Sequence, residues 1–65
     1  MFDYQVYKTL RDRNGLTDWQ VEKKTGVHTG SLASWEKGNS EPKYQTIHKL
    51  AVFFGVTEQM FMDDL

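Results

Sequence analysis

Apolar residues in this chain recur at helical spacing, in short runs interrupted by glycine, asparagine and proline. Val6, Tyr7 and Leu10 fall at i, i+1 and i+4, one face of a helix predicted over residues 4–13, with Asp3 as its N-cap and Asn14-Gly15 as its stop. Thr17 with Gln20 three residues on matches a capping box, so a second helix should begin there, and Leu16 can fold back onto the core. Gly38-Asn39-Ser40-Glu41-Pro42 is a cluster of turn formers that makes a short loop. Over residues 43–54 the positions Tyr44, Ile47, Leu50, Ala51 and Phe54 return to helical period, and Gly55 supplies the stop. Thr57 is an N-cap candidate for a last short helix carrying Met60 and Phe61. Strand-like alternation, internal repeats and low-complexity segments are all missing from the pattern. The prediction is all-α: a compact bundle of five short helices, one domain over residues 1–65.

The stretch that organises the rest is residues 17–37, TDWQVEKKTGVHTGSLASWEK. Val21, Gly26, Val27, Leu32 and Trp35 have the spacing of two short helices crossing through a tight turn. Gly26 sits where a left-handed residue commonly ends the first of these, and Val27 points back to seal the angle. This is the logic of a helix-turn-helix. Its second helix, predicted over residues 29–37, would bury Leu32 and Trp35 and present Thr29, Gly30, Ala33, Ser34 and Lys37 outward. A face of small, hydrogen-bonding residues is one that can enter a groove.

Composition narrows the picture. Sixty-five residues lie near the lower limit for a core without staples, and nine aromatics enlarge the apolar area each residue can bury. The absence of cysteine excludes disulfides and cysteine-based zinc sites and fits a reducing cytoplasm. No apolar run approaches a membrane span, and MFDYQ lacks the features of a signal peptide, so a soluble, unprocessed chain is expected. Two histidines twenty residues apart offer no metal-ligand spacing, and no glycine-rich phosphate loop follows a strand, so no catalytic residues, metal, cofactor or small-molecule site are expected.

The net charge of −1 is low for a nucleic-acid binder. Its distribution matters more than its sum: residues 1–16 carry +1, residues 17–37 are neutral, and residues 38–65 carry −2, with Glu58, Asp63 and Asp64 collecting at the C-terminal end. Phosphate affinity should therefore be modest and should need a dimer. Phe53, Met60, Phe61, Met62 and Leu65 place more apolar side chains at that end than a small bundle readily covers. Phe61, with Met62 or Phe53, is the expected contact of a symmetric homodimer, weak in the absence of DNA.

The strings LRDRNGLT, VEKKTGV, SWEKGNSEP and HKLAVFFGVT, in this order and spacing, resemble the lambda-repressor-like, Cro/XRE-type DNA-binding domain over nearly the whole chain. The resemblance implies a four- or five-helix bundle that binds operator DNA, commonly as a dimer. It places His28, Thr29, Gly30 and Ser34 at base edges, Lys37, Asn39 and Lys43 near phosphates, and Arg11 with Glu36 as an ion pair between helices.

Four positions depart from that pattern. Asp18 stands where relatives usually carry glutamine, a carboxylate facing the phosphate path. Glu22 replaces the usual alanine at the helix crossing and must snorkel outward or find a cationic partner. Thr25 replaces an aliphatic and His28 a serine cap. Trp35 reads as core, His48 as structural or solvent-facing, and Lys23 and Lys24 as a solvated helix face. Trp19 could stack near the DNA backbone or lie partly covered by a neighbour, and His28 could be a solvated residue or a groove contact. The leading expectation is a sequence-specific regulator that reads double-stranded DNA with its third helix. The alternative is a protein-interaction module that kept the bundle and lost DNA affinity, as Asp18, Glu22 and the low pI would allow.

Overall fold

The Asp3 carboxylate accepts the Gln5 amide and starts α1, Tyr4–Arg13, which ends at Asn14 with Gly15 left-handed just beyond. Thr17 and Gln20 form the reciprocal capping box that starts α2, Asp18–Thr25. Gly26 then turns the chain at φ 81°, a conformation costly for any residue with a Cβ, and α3 follows over Thr29–Glu36. The loop through Pro42 leads to α4, Tyr44–Phe54, stopped by left-handed Gly55. The last element, Glu58–Phe61, is a 3-10 helix rather than an α-helix, and Thr57 occupies its N-cap position without a side-chain capping bond. The computed structural model describes residues 1–62; four α-helices and this 3-10 turn make it all-helical.

One core joins all five elements. Tyr7, Val21, Val27, Leu32, Trp35, Ile47, Leu50, Ala51 and Phe61 are buried, with Val6, Leu10, Leu16 and Phe54 packed against them. Phe2, outside every predicted helix, belongs to it as well. Its ring stands edge-on to Trp35 at 5.3 Å and stacks on Phe61 at 6.0 Å. The Asp3 amide donates to the Phe61 carbonyl at 2.7 Å, so the N-terminal segment is tied to the 3-10 helix by backbone and by rings.

Two expectations about side chains are corrected here. Phe61 is fully buried and cannot form the surface of a dimer contact; Met62 and Phe53 are half-buried, and Leu65 lies outside the described residues. Docking of the N-terminal segment over the 3-10 helix supplies the cover that five helices alone would lack. Tyr44, predicted on the core face of α4, is 68% exposed. Its ring stacks on His48, and both side chains bond to Glu58, which fastens the start of α4 to the 3-10 helix from outside. The His48 contact is the main cause that lowers the pKa of the Glu58 carboxyl.

Candidate nucleic-acid interface

The junction between α2 and α3 is built by Glu22. Its carboxylate accepts the Thr29 amide at 2.9 Å and lies 3.6 Å from His28 Nδ1. His28 occupies the N-cap position of α3 without capping it by its own side chain, so the cap comes from the preceding helix. The Thr29 amide, followed by the charge of His28, lowers the Glu22 pKa below the ordinary carboxylate value. A depressed carboxylate contributes while ionised, so this cap is in place at neutral pH and is lost only as pH falls through the lowered value. In the turn itself the Thr25 hydroxyl donates to the Val21 carbonyl and accepts the Val27 amide, which is why a polar residue is tolerated there.

With Leu32 and Trp35 buried, α3 turns Gly30, Ala33 and Lys37 to solvent, flanked by half-buried Thr29 and Ser34. The sequence-predicted face is thus brought together on one stripe. One of its hydroxyls is already oriented: Ser34 shares a 2.7 Å hydrogen bond with Ser40 of the following loop. His28 and Asn39 are exposed at its two ends, and Lys43 is exposed at the start of α4.

The expected Arg11–Glu36 pair does not form. Arg11 instead donates through Nη1 to Asp18 at 2.9 Å and through Nε and Nη2 to Asp12, and Glu36 is exposed. Asp18 lies close enough to α1 to take the Tyr7 hydroxyl at 2.7 Å as well. Burial first, then this hydrogen bond, raises the Tyr7 pKa, while the Asp18 bond is the first cause that raises that of Arg11. The carboxylate expected to face phosphate is therefore a structural acceptor between α1 and α2. A residue compared only with its family position could not reveal that; an aspartate at the first turn of a helix, with a tyrosine and an arginine on the helix before it, was the available signal.

Arg11 is shared between Asp12 and Asp18, and no lysine is drawn into that cluster. Among the described residues no lysine takes part in an ion pair. Lys23 instead sits with its ammonium 5.1 Å from the centre of the Trp19 ring, one helical turn away on α2, a contact worth about 0.5 kcal/mol at an exposed site. Trp19 is 62% exposed, so it is not covered by a neighbour from the core.

A family model described as helix-turn-helix matches residues 8–61, which takes in α2, the turn and α3 with most of the bundle around them. The chain belongs to the Cro/C1-type helix-turn-helix family. It is also similar to the cryptic phage CTXphi transcriptional repressor RstR of Vibrio cholerae, 36% identical over 56 residues. That match takes in 86% of this chain and 50% of the repressor, so the chain spans about half the length of the curated relative it matches. No solved structure gives a significant match. Within the helix-turn-helix family the departures at Glu22 and Thr25 are accommodated by local bonds, so they leave the motif's geometry intact. Among the described residues, no helix is long and apolar enough to cross a membrane.

Proposed function

We propose that this chain is the operator-reading domain of a transcriptional repressor, with α3 in the major groove of double-stranded DNA. The observation that carries the reading is Gly30. It lies inside α3, is exposed, lacks a left-handed φ, and a Cβ built on it would meet nothing within 4 Å. Glycine in the middle of a helix costs about 0.5–1 kcal/mol relative to alanine and less in the first turn, where Gly30 stands, and the fold receives nothing in return. Close approach of an outside surface to the helix backbone accounts for it. Gly30→Ala is expected to raise stability by at most about 0.5 kcal/mol while weakening binding to a duplex recovered by selection from a random pool. Thermal melting and gel shift together measure the two effects. Unchanged binding by a stabilised variant would remove this face of α3 from the interface.

The hydroxyls of Thr29 and of Ser34, the latter bonded to Ser40, keep hydrogen-bonding capacity for base edges, and His28 flanks them. Lys37, Asn39 and Lys43 serve the phosphates. Lys37→Ala should weaken the selected duplex and a scrambled one by a similar factor and lower the slope of log affinity against log salt by about one per protomer. A slope equal to wild type would place Lys37 off the phosphate path. A second copy on an adjacent half-site fits this mode of reading. With Phe61 in the core, the expected contact falls to half-buried Met62 or Phe53, and Phe53 shares a groove with exposed Val52, Lys24 and Lys49. The protein-interaction alternative rested on Asp18, Glu22 and the low pI; of these, the two carboxylates have partners inside the fold.

A further inference from the structure

We infer that Trp19 and Lys23 form a second DNA-contacting element, a ledge on α2 that rests on the sugar-phosphate backbone beside the groove occupied by α3. The inference rests on the α3 reading proposed above and extends it. Trp19, Glu22 and Lys23 stand at i, i+3 and i+4 and therefore share one stripe of α2. Glu22 fixes where that stripe lies, because its carboxylate holds the first amide of α3 at 2.9 Å. The indole thus flanks the start of the reading helix, rather than the opposite side of the bundle.

Charge points the same way. The two carboxylates of α2 are both engaged, Asp18 by Arg11 and Tyr7 and Glu22 by Thr29 and His28. Lys23 has no ion-pair partner among the described residues, so its ammonium is open to an anion. The cation-π contact holds the Lys23 ammonium over the ring, which orders a side chain that would otherwise sample many rotamers. An exposed apolar plate carrying an ordered cation matches a deoxyribose flanked by phosphate: the ring covers the sugar and the ammonium meets the charge. Such a contact is indifferent to base sequence.

Tryptophan fluorescence tests this on the intact chain, because Trp35 is buried and Trp19 supplies the emission that acrylamide can reach. Saturation with the selected duplex should remove most of that accessibility, down to the level of Trp19→Phe, in which only Trp35 remains. Trp19→Ala should weaken selected and scrambled duplexes by the same factor, and Lys23→Gln should lower the salt slope by about one. If anisotropy shows the labelled duplex bound while acrylamide still quenches Trp19 as in the free protein, the ledge faces away from DNA and the inference falls, with the α3 reading standing. A Trp19→Ala protein that binds both duplexes as tightly as wild type overturns it equally. Failure of the unaltered protein to bind any duplex would bring down both readings together.

Discussion

Phe61→Ala is expected to leave this domain largely unfolded at physiological temperature. Phe61 is fully buried, and its ring closes a row that runs through Phe2 to Trp35, joining the two ends of the chain to α3. Truncating a buried phenylalanine costs about 3–5 kcal/mol, as lost transfer energy plus the cavity left behind. At typical stabilities per residue a 65-residue domain has about 3–10 kcal/mol in all, so one side chain carries a large share of the margin. Each kcal/mol lowers the midpoint of a domain this size by about 4–8 °C, which makes the loss plain in a circular-dichroism melt. The outcome also separates two roles. A Phe61 at a surface contact would leave the monomer's melt nearly unchanged and alter only its assembly, and that result would sink the core assignment.

The helices were legible because their determinants are local. Asp3, the Thr17–Gln20 box, Gly26 and Gly55 each act within a few residues, and the structure uses all of them as caps or stops. What was not legible depends on where a side chain lands across the fold. Phe2 has no periodic neighbours to mark it as apolar face, yet it is core because the 3-10 helix returns beside the N-terminus. Arg11 could reach several carboxylates, and family pattern favoured Glu36, but Asp18 also offered an acceptor to Tyr7 and so drew both donors. Glu22 read as a misfit at a helix crossing until the Thr29 amide appeared as its partner. The outward stripe of α3 was recoverable from Leu32 and Trp35 alone, since two buried positions three residues apart fix the opposite face.

Asp18→Ala should therefore be the costliest change among the charged residues, although Asp18 resembles a surface residue in sequence. The Tyr7 side chain is fully buried and its hydroxyl donates 2.7 Å to Asp18, while Arg11 reaches the same oxygen at 2.9 Å. Removing the carboxylate strips the phenol of a charged acceptor and leaves Arg11 with Asp12 alone. Losing hydrogen bonds to a charged group costs about 1.5–3 kcal/mol each when the partner is left behind. Because Asp12 still holds the guanidinium, a total of about 2–3 kcal/mol is expected rather than the full cost of stranding both donors. Glu36→Ala, at an exposed position, should stay within about 0.5 kcal/mol of wild type. The tyrosine fixes the cause: in a Tyr7→Phe background the same Asp18→Ala change should cost clearly less, because the donor it strands is already gone. The pH dependence carries the matching sign. The Tyr7 pKa is raised in the fold, so its contribution is complete below the unfolded value of 10.0 and is lost as pH rises through the folded one. Urea titrations of wild type, the three single variants and the double variant measure these differences directly. An Asp18→Ala protein as stable as wild type would show that the α1–α2 junction is held by packing alone.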